Sequence, residues 1–179
     1  MKKTLAVLLA LMTVLTLGLT AVAEQPAAPA ETDAPAFTGG VQFGMNMDQV
    51  KQLINLPGFK VDRENHKGTE YSELEYKRMD IGEGFLADVT FIFAGNSLVA
   101  IHYEMEKNAS YNTVLEKATA RFGASVPFDR ARLGNAQYAV DDLDDCKDMI
   151  EAPGVTVVLE RDDDEVEVTL FDPSALLNN

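Results

Sequence analysis

Residues 85–105 read FLADVTFIFAGNSLVAIHYEM. Apolar residues alternate with other residues in two runs of this segment, and the pair Gly95-Asn96 between the runs suits the positive φ angles of a tight turn. The segment therefore predicts a β-hairpin. One face of its first strand would pack against a core, and that face consists of Phe85, Ala87, Val89, Phe91 and Phe93. In the returning strand, Val99, Ile101, Tyr103 and Met105 alternate with Leu98, Ala100, His102 and Glu104.

Two helices are predicted, one on each side of the hairpin in the sequence. Asn46 is a suitable N-cap for a helix over residues 47–54, and Gln49 lies where a capping box needs it. Apolar residues recur at helical spacing over residues 111–122, after capping candidates at 108–110 and before a stop at Gly123. We expect both helices to cover the phenylalanine face of the hairpin, through Val50, Leu53 and Ile54 of the first and Val114, Leu115 and Phe122 of the second.

The remaining strands are less regular. Residues 69–77 predict a strand between a loop at 61–68 and a turn at 80–84, and residues 155–160 and 165–171 predict a closing hairpin. Residues 136–140 are a candidate strand, and residues 141–150 predict a loop or one or two helical turns. The fold class is α+β: an antiparallel sheet of about five or six strands with two helices packed on one face. A degenerate α-β-β-β tandem repeat is a further possibility.

The N-terminus predicts export. Lys2 and Lys3 precede an apolar run, and Ala21-Val22-Ala23 supplies the small residues of a cleavage site before Glu24. We therefore expect residues 1–23 to be a signal peptide, with an uncleaved membrane anchor as the alternative. Residues 24–36 form a Pro/Ala-rich spacer without apolar periodicity, residues 37–173 one domain, and residues 174–179 a tail. The localisation would be secreted, periplasmic or in the cell envelope, with no transmembrane segment after cleavage.

The charge balance narrows the choice of partners. The chain carries 15 Lys+Arg and 29 Asp+Glu, a net charge of −14, and loss of the two lysines of residues 1–23 makes it −16. So acidic a surface repels phosphate backbones and anionic lipids, which argues against nucleic acid and membrane surfaces as partners. Basic partners and divalent cations remain possible. The single cysteine excludes an internal disulfide.

No catalytic constellation is recognisable in the sequence. Cys146 lies among aspartates, which disfavour the thiolate that a nucleophile needs. His102 and Glu104 could share a strand face, but no third group for acid–base catalysis is identifiable. We therefore expect no enzyme and no cofactor. The alternative is a calcium-binding or metal-dependent protein whose acidic loop supplies the oxygens of Asp141, Asp142, Asp144 and Asp145.

Three short motifs carry a family resemblance. Residues 43–50, FGMNMDQV, resemble the aromatic-Gly-Met helix start of small exported bacterial proteins, in which a strand pair with a turn like residues 93–98 and a helix end like Phe122-Gly123 follow. This arrangement is similar to that of SmpA/OmlA-type outer-membrane assembly lipoproteins and β-lactamase inhibitory proteins. Unlike the lipoproteins, the chain has no cysteine near its start and one helix, rather than two, before its strands. The resemblance implies a helix-on-sheet binding module without catalysis.

Together these observations predict an exported, non-enzymatic module that binds a protein or peptide. If the helices cover the phenylalanine face of the hairpin, its other face is the surface left for a partner. The candidate binding residues on that face are Asp88, Thr90, Ile92, His102 and Glu104.

Overall fold

A computed structural model describes residues 38–56, 63–66, 69–82, 84–134, 143–162 and 165–177. Within these ranges the chain has the predicted α+β class, an open antiparallel sheet with three α-helices. The helices are α1 (Met47–Ile54), α2 (Tyr111–Phe122) and α3 (Pro173–Leu177). The strands are β1 (Arg63–His66), β2 (Thr69–Gly82), β3 (Phe85–Ala94), β4 (Ser97–Met105), β5 (Val126–Pro127), β6 (Cys146–Ala152), β7 (Val155–Asp162) and β8 (Glu165–Phe171).

The strands lie in the order β1-β2-β3-β4-β8-β7-β6-β5, and each neighbouring pair is antiparallel. Each half of this sheet follows a helix in the sequence: α1 precedes β1 to β4, and α2 precedes β5 to β8. The last strands of the two halves, β4 and β8, pair at the centre. The eight strands of the described ranges exceed the five or six predicted, because β1, β5 and β6 carry no regular apolar alternation.

The predicted hairpin is confirmed as β3 and β4, with Gly95 at a φ of 61° in its turn. Its register shifts by one residue between the pairs Phe93–Leu98 and Ile92–Ala100. This bulge leaves Leu98 in the cluster beneath α1 and α2, whereas Val99 packs in a second cluster on the opposite face. The predicted face of Val99 is therefore wrong, because an extra residue in a bulge interrupts the alternation.

Helices α1 and α2 cover the phenylalanine face of the hairpin, as predicted. Val50 of α1 is buried there, as are Val114 and Ala118 of α2. Leu53, however, is 45% exposed. The apolar stripe of α1 contacts the core through Met47, Val50 and Ile54, so Leu53 lies at the edge of the stripe rather than beneath the helix.

The two helices begin differently. At α1, the Asn46 side chain accepts a 2.9 Å hydrogen bond from the Gln49 backbone, and the Gln49 side chain accepts one of 2.9 Å from the Asn46 backbone. This confirms the predicted capping box. Ser110 occupies the same position at α2, but its side chain makes no capping hydrogen bond. Packing of Val114 and Ala118 therefore has the larger share in holding α2.

A second, smaller cluster covers part of the opposite face. It is built from Ile92, Val99, Ala100, Leu133, Cys146, Met149, Val158 and Phe171. Ala175 of α3 packs against it, as do Phe128 and Leu143 from segments outside the strands. One end of this face is therefore core, and only its other end is left for polar side chains.

Three polar segments differ from prediction. β1 lies in the expected loop 61–68, β2 continues into the expected turn 80–84, and β6 replaces the loop or helical turns expected up to residue 150. Main-chain pairing with a neighbouring strand helps to hold β1 and β6 in place. β6 also buries Cys146, Met149 and Ile150, but these residues do not alternate regularly along the strand. The expected tail at 174–179 begins within α3.

Several expectations lie outside the described residues: the signal peptide, the spacer, the strand at 136–140, and Asp141 and Asp142. Among the helices that the structure describes, none is long and apolar enough to cross a membrane.

Candidate functional site: a row of carboxylates on the sheet

Four carboxylates form one row across the middle of the sheet, on the face opposite α1 and α2. The strand register pairs Asp88 with Glu104, Glu104 with Glu167, and Glu167 with Glu160. Adjacent strands lie about 4.8 Å apart, so like charges that face each other across strands repel. We call these four residues the acidic row. Their chain neighbours Val89, Tyr103, Val168 and Leu159 belong to the core beneath the helices, which confirms the face of the row.

A polar row runs beside the acidic row. Thr90 pairs with His102, and His102 pairs with Thr169. Four of the predicted binding residues therefore lie together, namely Asp88, Thr90, His102 and Glu104. Ile92 lies one row further, where it is 5% exposed and packs in the second cluster, so its side chain is not available at the surface. Glu104 is exposed, and Asp88, Thr90 and His102 are half-buried.

Cations and backbone donors stabilise the outer end of the acidic row. The ammonium of Lys77 lies 2.6 Å from the Asp88 carboxylate, and the backbone N–H of Arg78 donates a 2.8 Å hydrogen bond to it. Burial alone would raise the pKa of Asp88, but these two hydrogen bonds, together with the charges of Lys77 and Arg78, outweigh burial and lower it. Arg78 has a φ of 53° where β2 bulges opposite β3. Asp88 therefore also holds a strained backbone position.

The inner end of the row is a compact cluster of four side chains. His102 Nδ1 lies 3.0 Å from the Thr169 hydroxyl, which donates a 3.4 Å hydrogen bond to Oε1 of Glu160. His102 Nε2 lies 3.5 Å from Oε2 of Glu167. Ring nitrogen and carboxylate oxygens of His102, Glu160 and Glu167 all lie within 4.8 Å of one another. Glu160 is 3% exposed and Thr169 is fully buried, so this cluster extends from the surface into the protein.

Glu160, Glu167 and Thr169 were missed as functional candidates. Their strands were predicted, and the alternation of Val166, Val168 and Leu170 already places Glu167 and Thr169 on the other face. What the sequence lacks is a local signal for the pairing of β4 with β8. The hydrogen bond between His102 and Thr169 joins residues 67 positions apart. The sequence predicts only that His102 shares a strand face with Glu104. In the structure the side chain of His102 lies at ion-pair distance from Glu167.

A surface cleft of about 440 Å³ adjoins the exposed end of the acidic row. Asp88, Glu104, Glu106 and Glu165 contribute carboxylates to its wall. Two cations of the same wall are already paired: Arg78 lies 2.9 Å from Glu106, and Lys107 lies 3.2 Å from Glu165. The charges of Glu106 and Glu165 are therefore offset, and the net negative charge of the cleft comes from the two members of the row, Asp88 and Glu104.

The predicted acidic loop is described only in part. Asp144 and Asp145 lie in a turn directly before β6. The ammonium of Lys147 lies 3.7 Å from the Asp145 carboxylate and donates a 3.3 Å hydrogen bond to the Asp144 carbonyl. Cys146 forms no disulfide and is buried in the second cluster. Calcium binding at Asp141, Asp142, Asp144 and Asp145 stays a prediction.

Comparison with protein-family models, with curated proteins and with solved structures finds no match. The resemblance to the assembly lipoproteins and the β-lactamase inhibitory proteins therefore stays a prediction.

Proposed function

We propose that this protein is an exported, non-enzymatic module that binds a basic segment of a protein or peptide on the acidic row. One observation carries the proposal. The row sets carboxylates in register on four adjacent strands, and the helices α1 and α2 lie on the opposite face.

Charge favours a basic partner. Like charges opposite one another in a sheet lower its stability. Lys77 already offsets the charge of Asp88, so the exposed carboxylate of Glu104 is the member of the row most open to a partner's cation. Lysine or arginine side chains of a partner would relieve the repulsion, and a guanidinium can bind a carboxylate with two hydrogen bonds. The net charge of −14 adds long-range attraction to the same kind of partner.

The cleft beside the row supports an extended occupant rather than a single ion. It continues the surface from Asp88 and Glu104 to Glu106 and Glu165. An extended chain rises about 3.3 Å per residue, so basic side chains on one side of a peptide would reach Glu104 of the row and, by displacing Arg78 and Lys107, the carboxylates of Glu106 and Glu165. Part of the affinity would then come from the spacing of the charges, and not from net charge alone.

We also propose that the protein is exported and that its two halves arose by an internal duplication. Export rests on the signal-peptide pattern of residues 1–23, and a mature N-terminus at Glu24, read by mass spectrometry after secretion, tests it. The tandem repeat rests on topology, because each helix precedes four strands and the strand order of one half mirrors the other. The described geometry is in keeping with the resemblance to helix-on-sheet binding modules.

The test is fluorescence anisotropy with a labelled arginine-rich peptide, and with a glutamate-rich peptide of the same length as the specificity control. We expect binding of the basic peptide only, with an affinity that falls as salt screens the charges. Glu104→Lys should weaken it about tenfold or more, since reversing a charge at an interface costs more than 1 kcal/mol.

Glu116→Lys provides the matched control variant. Glu116 is exposed on α2, on the other side of the sheet, so this substitution makes the same change in net charge without touching the row. Equal loss of affinity in the two variants would mean attraction to net charge only and would overturn the proposed site. Turnover of a substrate in an activity screen would overturn the non-enzymatic class.

A further inference from the structure

The inner end of the acidic row has the chemistry of a metal site. We propose that His102, Glu160 and Glu167 bind one divalent transition-metal ion of the Zn²⁺ type. This inference does not depend on the proposed peptide partner. It begins with three ligand-type side chains from β4, β7 and β8, whose nitrogen and oxygen atoms lie within 4.8 Å of one another.

The strand register holds these three side chains together. Glu160 and Glu167 face each other across β7 and β8, and His102 lies on β4 opposite Thr169, two residues from Glu167. Side chains at every second position share a face of a strand. The three ligands therefore stand on a rigid support at the centre of the sheet, where little backbone movement is needed to bring them onto one ion.

The pair of carboxylates favours a bound cation. Glu160 is 3% exposed, and its cross-strand partner Glu167 carries the same charge. A buried carboxylate is costly unless charge and hydrogen bonds compensate it. Protonated His102 would supply one positive charge, whereas a divalent ion supplies two and neutralises both carboxylates.

Thr169 determines which nitrogen of His102 faces the ion. Its hydroxyl has one proton, which it donates to Oε1 of Glu160. The contact of 3.0 Å to His102 Nδ1 then fits the tautomer in which Nδ1 donates its hydrogen to the same hydroxyl. In that tautomer the lone pair of Nε2 lies on the side of Glu167. Metal-binding histidines are commonly oriented in this way, by a hydrogen bond from the nitrogen that does not bind the metal.

The separation of His102 and Glu167 matches tetrahedral or similar coordination. Two ligands that lie about 2.1 Å from zinc at a tetrahedral angle are about 3.4 Å apart, and His102 Nε2 lies 3.5 Å from Glu167 Oε2. One imidazole with two carboxylates suits zinc and its neighbours, whereas calcium takes six to eight oxygens. His102 and Glu167 are 18% and 19% exposed, so solvent can reach the ion and fill its remaining position.

The experiment is calorimetric titration of the purified protein, carrying no histidine tag, with ZnCl₂. We expect one ion per chain, and with CoCl₂ the visible absorption bands of a coordinated ion. His102→Gln and Glu167→Gln should each abolish the heat of binding and the bands. Thr169→Val, which removes only the orienting hydroxyl, should weaken binding by about 10- to 100-fold.

Two matched variants test whether the effect is local. His66→Gln removes the other histidine of the chain, which lies in the edge strand β1, and Glu116→Gln removes an exposed carboxylate of α2 on the other face of the sheet. Both should bind zinc like the wild type. Circular dichroism of every variant checks that it folds. A variant of the buried ligand, Glu160→Gln, can fail to fold. In that case the variants of His102 and Glu167, which are partly exposed, still test the site.

Two results would overturn the inference. One is absence of binding for Zn²⁺, Co²⁺ and Mn²⁺ alike, which would leave an ion pair of His102 with Glu167. The other is zinc binding that persists in His102→Gln and Glu167→Gln, which would place the ion elsewhere. A parallel titration with CaCl₂ separates the acidic turn from this cluster, because calcium binding there would be unchanged in His102→Gln.

Discussion

The hydroxyl of Tyr111 donates a 2.7 Å hydrogen bond to Oδ2 of Asp148, and this bond ties the start of α2 to strand β6. Burial raises the pKa of Tyr111, and the bond to the Asp148 carboxylate raises it further. The guanidinium of Arg161 lies 6.0 Å from the centre of the Tyr111 ring. A polar contact thus connects the second helix to the half of the sheet that follows it in the sequence.

Removing this hydroxyl should cost stability. We expect Tyr111→Phe to lower the free energy of unfolding by about 1–3 kcal/mol, because the partly buried Asp148 carboxylate loses a hydrogen-bond donor. Urea denaturation at neutral pH measures the change. In Asp148→Asn the amide oxygen can still accept the bond, so this variant should lose less. A Tyr111→Phe variant as stable as the wild type would contradict the expectation.

The buried phenol of Tyr103 predicts loss of stability at alkaline pH. Burial raises the pKa of Tyr103 to about 12, against 10.0 for the free side chain. The folded state therefore holds this proton more tightly than the unfolded state, and its contribution to stability is complete below pH 10 and lost as the pH rises to 12. By pH 12 the loss amounts to about 2 kcal/mol from this group.

The measurement is the free energy of unfolding in urea across this pH range. Tyr103→Phe has no phenol to ionise, so its stability should fall less steeply than that of the wild type. The pKa values of Tyr76 and Tyr111 are also raised, so some dependence on pH should remain in the variant. Parallel curves for the two proteins would show that Tyr103 ionises as readily in the folded state as in the unfolded state.

The lowered pKa of Asp88 predicts a loss of stability at acid pH, the opposite of the dependence at Tyr103. Its pKa is lowered in the folded protein, since the hydrogen bonds of Lys77 and the Arg78 backbone, together with the charges of both side chains, outweigh burial. The contribution of this carboxylate is therefore present above its unfolded pKa of about 3.9, and is lost as the pH falls through the lower folded value. We expect Asp88→Asn to be about 1 kcal/mol less stable than the wild type at neutral pH.

Chemical denaturation at several pH values tests this expectation. The difference between Asp88→Asn and the wild type should shrink as the pH falls below about 4, because the wild-type carboxylate is then protonated too. Glu116→Gln, an exposed change on α2, should leave the curve unchanged. A difference that is constant down to the lowest pH would assign the effect to packing rather than to charge.

The hairpin shows how far the sequence determines the candidate site. Alternation and the Gly95-Asn96 turn predict both strands and the face of Asp88 and Thr90. Without a bulge, however, the turn register would pair Asp88 with Tyr103, since it pairs Phe93 with Leu98. The extra residue at Val99 shifts the register so that Asp88 faces Glu104 instead. A single inserted residue thus creates the first pair of the acidic row.

The rest of the site depends on contacts between distant parts of the chain. Glu160 and Glu167 lie in a hairpin that the sequence predicts, yet their closeness to His102 requires the pairing of β4 with β8. Such pairing follows from how the two halves of the sheet bury their common core. Periodic patterns within a short window do not indicate which distant strands pair. The acidic row therefore could not be predicted from the sequence alone.

The two helix starts provide a matched comparison of capping. Asn46→Ala should lower the free energy of unfolding by about 1 kcal/mol, because the Gln49 backbone N–H loses its acceptor. Ser110→Ala removes a side chain that makes no capping hydrogen bond, so its effect should stay within about 0.5 kcal/mol. Thermal or urea denaturation of both variants decides this. A larger loss in Ser110→Ala than in Asn46→Ala would contradict the capping geometry.

The exposure of Ile92 and Leu53 is the reverse of what the sequence predicts. Ile92, expected on the binding face, is 5% exposed, whereas Leu53, expected beneath α1, is 45% exposed. We therefore expect Ile92→Ala to cost about 2–4 kcal/mol, because it opens a cavity in the second cluster. Leu53→Ala should cost about 0.5 kcal/mol or less.

Urea denaturation of the two variants compares equal changes in side-chain chemistry at a buried and an exposed position. If the second cluster is a true part of the core, Ile92→Ala lowers the unfolding midpoint while Leu53→Ala leaves it nearly unchanged. Titration with the arginine-rich peptide adds a second readout. Since the Ile92 side chain is covered, Ile92→Ala should bind the peptide like the wild type at temperatures where it remains folded. A larger loss of stability in Leu53→Ala than in Ile92→Ala would contradict the buried position of Ile92 and the exposed position of Leu53.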